Sequence, residues 1–313
     1  MAGPMKIVFL GSGSFGLPTL EHLADVHDVQ LVVTQPDRPS GRGRSLTPTP
    51  VGAWAEESGL PCFKVMDINR PDSIERLRSI QADAWVIIAF VQKLGAELLA
   101  GRFAMNLHAS LLPRHRGAAP IHHAILSGDR TTGLSVITIA DRIDAGDVMG
   151  SCVTEIHPRE TTGELHDRLA EMGPAVIEQV LQDHASGSLQ LLEQDESLVT
   201  MASKLSKSMA TVRFDQASTM VRNGVHGLLP WPGCTIQIGP HRVRLLRLEA
   251  IEHDAPVRAP GSITPDGIVS CDPGHVRLLE VQSPGKRPMP FQQWLHGHPI
   301  DSDTICTPLE SST

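Results

Sequence analysis

The stretch "MKIVFLGSGSFG" at residues 5–16 decides how the rest of the chain is read. It opens on an apolar run of strand length, after which Gly11, Gly13 and Gly16 spell G-x-G-x-x-G. In a strand–turn–helix unit such glycines allow a tight turn, a close backbone approach to a pyrophosphate, and close packing of helix on strand. A dinucleotide-binding protein would add an acidic residue about 20 positions on to hold a ribose hydroxyl, and Asp37 has that spacing. The same turn also joins first strand to first helix in α/β proteins that bind no nucleotide. The remaining sequence chooses between the two.

Working outward, residues 17–24 show helical apolar spacing and residues 29–34 form a second β-rich run. Helices are expected at 51–59, 73–81 and 94–99, and a short strand at 103–107. "AWVIIAF" at residues 84–90 is continuously apolar, as strands buried on both faces of a parallel sheet are. Strands alternating with helices imply an α/β fold, a doubly wound, parallel-rich sheet of Rossmann-like kind. Further strands are expected at 133–139 and 148–156. Thr161, Thr162 and Glu164 form a capping arrangement for a long helix, which Gly173-Pro174 should interrupt. Beyond residue 208 come short β-rich runs such as "CTIQIG" and "HRVRLLRLEAI", the texture of a small all-β domain. The expected organisation is residues 1–188, a linker at 189–208, and a second domain at 209–313.

The bulk composition narrows the function classes. The 313 residues carry a net charge of −8, which argues against a surface coated in basic groups. A local patch remains open, and Arg38, Arg42 and Arg44 gather in the loop "QPDRPSGRGRSLTPTP" at residues 35–50. No apolar run approaches the roughly 18 residues of a membrane span, and no basic leader precedes an apolar stretch, so neither membrane nor secretion is expected. The five cysteines are scattered and never form C-x-x-C, which fits a reducing cytoplasm better than a disulfide framework or a structural zinc.

The chemistry concentrates in "MNLHASLLPRHRGAAPIHHAILSGD" at residues 105–129. Asn106 and His108 are two apart, so at a strand end they leave the same face, where open α/β sheets bind ligands. An amide donor beside an imidazole suits a carbonyl oxygen that becomes negative under nucleophilic attack. In "ADRIDAGDVMG" at residues 140–150, Asp144 and Asp147 flank a turn from which a carboxylate can reach that imidazole. Each piece alone has a plainer reading: a backbone-capping Asn, a satisfied core His, and a D-x-G turn chosen for hairpin chemistry. His108, His115, His122 and His123 crowd one stretch, but no spacing among them matches a familiar metal-ligand pair.

Taken in order, "TQPDRPSGRGRSLTPTPV" (residues 34–51), "NLHASLLPRHRGAAPI" (106–121), "IDAGDVM" (143–149), "ASKLSK" (202–207) and "PWPG" (230–233) resemble the methionyl-tRNA formyltransferase family of folate-dependent formyltransferases. The resemblance implies a Rossmann-like formyltransferase domain followed by an OB-like barrel that helps grip tRNA. It implies transfer of the formyl group of 10-formyltetrahydrofolate to the α-amino group of methionyl initiator tRNA, with neither metal nor NAD, by a monomer. It makes Asn106, His108 and Asp144 the catalytic trio, with His108 protonated. Ser110, Leu111, Leu112 and Pro113 become the folate loop, and Arg38, Arg42 and Arg44 face tRNA. The opening glycines are then turn glycines. Two other readings stay in view. One is another formyltransferase or a formyl hydrolase on the same core, against which the arginine loop and second domain argue. The other is an idle or nucleotide-sensing Rossmann protein, which the trio disfavours.

Overall fold

The computed structural model describes residues 3–40, 45–251, 258–301 and 303–309. Its larger sheet has seven strands. From one edge to the other they are Val148–Glu155, Thr131–Thr138, Ala104–His108, Ala84–Ile88, Lys6–Gly11, Asp28–Thr34 and Cys62–Lys64. Neighbours from Ala104–His108 to Cys62–Lys64 run parallel, and Thr131–Thr138 runs antiparallel to Ala104–His108. Ile7, Val8, Phe9 and Leu10 are all fully buried, as a strand covered on both faces must be. Val8, Leu10, Leu31, Val33, Trp85 and Ile87 belong to one core on this sheet.

The opening glycines form the turn from the first strand into the first helix. A Cβ on Gly11 would press on Phe9 Cε1 at 2.7 Å and the Ile88 carbonyl at 2.8 Å, and one on Gly16 on Phe9 Cζ at 3.0 Å. Gly13, the position that would face a pyrophosphate, meets only Ala89 Cβ at 3.8 Å. The first and third glycines thus serve helix–strand packing. Asp37, the would-be ribose clamp, is ion-paired to Lys64 at 2.8 Å. The loop expected over residues 35–50 contains a small hairpin, Arg38–Ser40 against Ser45–Thr47.

Backbone contacts divide the chain into two units. One comprises residues 1–116, 133–153 and 166–200, and the other 117–132, 154–165 and 201–313. The second unit holds an antiparallel sheet of six strands, in which Ile268–Ser270, His275–Gln282, His241–Ile251, Thr235–Ile238 and Cys306–Pro308 follow one another and Met289–Pro290 adds to His275–Gln282. Single bridges, Ser262 to Ile305 and Ile263 to Val269, draw its ends together, but no continuous ladder closes a barrel among the described residues. Its core gathers Leu245, Leu248, Val276, Val281, Phe291 and Trp294. The unit is not purely β: helices Ser218–Gly227 and Phe291–Gly297 complete it.

The capping arrangement at residue 161 forms as read. Thr161 N–H donates to Glu164 Oε2 at 2.8 Å, and Glu164 N–H returns a long bond of 3.5 Å to Thr161 Oγ1. The helix it opens, Thr162–Ser186, runs unbroken through Pro174, contrary to the expected interruption. An internal proline costs ~3 kcal/mol. Leu169, Ile177, Val180 and Leu181 are all buried on this helix, at roughly 1.5–3 kcal/mol each, so burial outweighs the lost bond. No helix among the described residues is long and apolar enough to cross a membrane.

One buried histidine makes the second unit acid-sensitive. Leu248 N–H donates to His226 Nε2 at 2.9 Å, so that nitrogen must keep its lone pair. Burial, with Arg222 and Arg247 nearby, pushes His226 down to about 4 from 6.5. The unfolded chain therefore binds a proton that the native state refuses between pH 6.5 and pH 4, and stability falls as pH drops through that window. Urea unfolding should lose up to about 1.4 kcal/mol per pH unit there from this group. His226→Gln should remove that part of the slope; an unchanged slope would show that His226 does not carry it.

Candidate active site

Asn106 and His108 lie on the strand Ala104–His108, the imidazole on its last residue. Both stand at the carboxyl end of a parallel array, where this architecture places ligands. His108 is buried, and Nε2 donates to the His115 carbonyl at 2.9 Å. Its other nitrogen, Nδ1, faces Asp144 Oδ2 at 3.5 Å. A carbonyl can only accept, so Nε2 carries the hydrogen and Nδ1 is the nitrogen that can gain or lose a proton. Burial pushes the imidazole pKa below its ordinary 6.5, while the Asp144 carboxylate and the His115 carbonyl pull it back up. The net direction is downward, so the resting imidazole is neutral at neutral pH. This departs from the charged histidine expected above, and the reason is desolvation of the ring.

Asn106 is half-buried, and no described residue hydrogen-bonds its side-chain amide. It shares a strand face with His108, two residues away. Asp144 sits in left-handed backbone, φ 51°. Among the described residues only Ala89, His115 and Asp144 are non-glycines there, and two of the three belong to this constellation. Such strain gathers at functional sites. At Gly146 in the same turn a Cβ would overlap the Thr138 carbonyl oxygen, so the turn lies tight on its neighbouring strand.

The loop at residues 110–113 is pinned from below. Ser135, opposite His108 in the antiparallel register, donates its hydroxyl to the Ser110 carbonyl at 2.8 Å and accepts from Leu112 N–H at 3.1 Å. Ser110 Oγ donates to the Arg114 carbonyl at 2.7 Å. Leu111, Leu112 and Pro113 are half-buried, a partly open apolar edge beside the imidazole's strand. Sequence reasoning overlooked Ser135 and the His115 carbonyl. The first could have been found from the strand pairing, whereas the second depends on a loop conformation that no pattern encodes. Arg38 is exposed and donates to Gln35 Oε1 at 3.0 Å; Arg42 and Arg44 lie outside the described residues. Among those residues no group of three His, Cys, Asp or Glu side chains is placed to hold a metal ion.

The geometry supplies a free amide donor, a neutral imidazole and a carboxylate behind it. Comparison with known proteins adds the chemistry. A formyl transferase family model matches residues 5–181, and a formyl transferase C-terminal domain model matches residues 204–299. The chain is 41% identical over 309 residues to a methionyl-tRNA formyltransferase of Methylococcus capsulatus, covering 97% of this chain and 100% of that one. It is 38% identical over 303 residues to the methionyl-tRNA formyltransferase of Moorella thermoacetica, covering 95% and 97%. Among solved structures, the sugar 3N-formyl transferase WlaRD superposes with a TM-score of 0.68 at 15% identity, over 91% of this chain and 100% of that one. An N-formyltransferase from Helicobacter canadensis in complex with folinic acid and dTDP-3-aminofucose gives 0.69 at 13%, over 89% and 98%. At such identities the structural likeness speaks for the fold alone.

Proposed function

The chain belongs to the formyl transferase family, and from that membership we propose that it transfers the formyl group of 10-formyltetrahydrofolate to the α-amino group of methionyl initiator tRNA. The observation that carries this reading is the likeness to methionyl-tRNA formyltransferases along both the N-terminal and the C-terminal family domains. The donor fits what the site offers: an unpartnered half-buried amide at Asn106 beside an apolar edge at Leu111, Leu112 and Pro113. These residues would hold the folate, which brings an activated formyl group.

His108, Asn106 and Asp144 then act in named roles. The amine adds to the formyl carbon, and the proton it sheds goes to the unprotonated Nδ1 of His108, the nitrogen that faces Asp144. Asp144 stabilises the imidazolium that results. Asn106 donates to the oxygen that becomes negative. The imidazolium returns its proton to the departing folate nitrogen, which restores the neutral ring. Arg38, Arg42 and Arg44 supply local positive charge for phosphates on an otherwise acidic chain, and the second unit adds to the grip on tRNA. Five free cysteines, three of them pushed to about 12 by burial, suit the cytoplasm.

The direct test supplies charged initiator tRNA and 10-formyltetrahydrofolate and assays formyl-methionine on the tRNA. Release of formate alone, or formylation of a sugar amine and not of the tRNA, would assign the chain to another branch. A ligand-binding check is independent of turnover. Folinic acid at about 100 times its Kd should stabilise the native state by about 2.7 kcal/mol, read as a rise in Tm, and NAD should give no rise. A shift with NAD and none with folinic acid would return Gly11, Gly13 and Gly16 to a dinucleotide role.

A further inference from the structure

The segment read from sequence as a linker holds both loops of the site. Gln194 is 7% exposed, and its side-chain amide makes three hydrogen bonds. Nε2 donates to the carbonyl oxygens of Asp144, at 2.8 Å, and Gly146, at 2.7 Å. Oε1 accepts from Arg116 Nε at 2.9 Å. Both amide hydrogens are thereby spent on the turn that carries Asp144. Two residues on, Glu196 binds Arg142 of that same turn at 2.7 and 3.1 Å, and takes Arg116 Nη2 at 2.9 Å. Thr200 Oγ1 accepts from His115 N–H at 2.8 Å, and the His115 carbonyl in turn holds His108. The Asp144 turn and the His115 loop are thus fastened to one strap, residues 194–200.

We propose that Gln194 is a positioning residue, which sets the Asp144 carboxylate against His108 by donating to the backbone carbonyls of Asp144 itself and of Gly146. The proposal rests on the reading of His108 and Asp144 as the reacting pair. The physical need is plain. Asp144 occupies a left-handed conformation that a free chain seldom adopts. Carbonyls withdrawn from water need donors, and Gln194 supplies both from one rigid planar group. Displacing a reacting group by about 1 Å can cost ~10² in rate, so a turn held at three places is worth having.

A competing account makes Gln194 a mere acceptor for the buried Arg116. Gln194→Glu separates the two, because a carboxylate still accepts from Arg116 but has no N–H for the turn. Positioning predicts that kcat falls roughly 10–100-fold, with KM for folate and for tRNA within about threefold of the parent. Gln194→Met, which adds no charge, supplies a second readout without turnover. In the ligand-free protein the NMR titration midpoint of His108 should fall below that of the parent, because the carboxylate that pulls it up is no longer held close. Unchanged kcat in a folded Gln194→Glu, a loss confined to KM, or an unmoved His108 midpoint would overturn the proposal. If Gln194→Glu does not fold, rate and midpoint in Gln194→Met decide. Asp144→Asn distinguishes this failure from failure of the trio. Near-full activity there would remove the reacting pair itself, whereas an inactive Asp144→Asn beside a fully active Gln194→Glu would remove only the positioning role.

Discussion

His108→Ala is expected to leave a folded protein whose kcat for formyl transfer is lower by roughly 10³. The side chain gives the fold one hydrogen bond, to the His115 carbonyl, worth about 1 kcal/mol, and its removal opens a small cavity in a large core. The reaction loses far more: the acceptor for the amine's proton, the donor that returns it, and the cation that Asp144 stabilises. Substrate binding depends on other groups, so KM should move little while kcat collapses. The pH profile carries the sign. Burial holds this imidazole below 6.5, so the active, unprotonated form dominates at neutral pH, and kcat should fall only on the acid side of 6.5. In the variant that acid limb should vanish from the residual rate. A folded His108→Ala with activity within a few-fold of the parent, or with its acid limb intact, would dismiss His108 from the chemistry.

How much of this could be read before the structure varies with the range of the interactions. The parallel sheet was visible because Val8 to Leu10 and Trp85 to Ile88 are buried on both faces, and such strands spell unbroken apolar runs. Asn106 and His108 were visible because a strand end converts a spacing of two into a shared face. The tie from His108 to Asp144 was only permitted by the sequence, since nothing in a D-x-G turn says which imidazole it will meet. Gln194 was invisible. A glutamine in "LLEQDESLVT" is an ordinary surface residue until Asp144, Gly146 and Arg116 are brought to it.

The misreadings follow the same rule. Pro174 is a helix breaker by local propensity, and the burial of a long helix overrode it. Ser218–Gly227 contains two glycines and little that favours a helix, so the second unit read as purely β; its Val221 and Val225 are nonetheless buried in that unit's core. The Asp144 carboxylate alone would favour a charged His108. Desolvation, which opposes the charged form, cannot be counted until the ring's surroundings are known.

Asn106→Ala is expected to cost ~10²–10³ in kcat, the range for losing one donor to a developing oxyanion, with little change in KM. Asn106 is half-buried on the same strand as His108, and no described residue occupies its amide. An amide serving the fold would be hydrogen-bonded to it, because a withdrawn polar group left without a partner is costly. Its freedom is what a group reserved for a ligand would show. A donor aimed at the oxygen that becomes negative contributes little while that oxygen is still a neutral amide carbonyl, which is why the loss should appear in kcat. Asn106→Asp sharpens the test. It preserves shape but sets a carboxylate, a second negative charge near Asp144, where negative charge must develop, so it should be slower than Asn106→Ala. The same substitution should raise the His108 midpoint in the ligand-free protein, because an added anion favours the imidazolium. If Asn106→Asp instead matches or exceeds the rate of Asn106→Ala, the amide is not the oxyanion donor, and residue 106 acts only by filling its place on the strand.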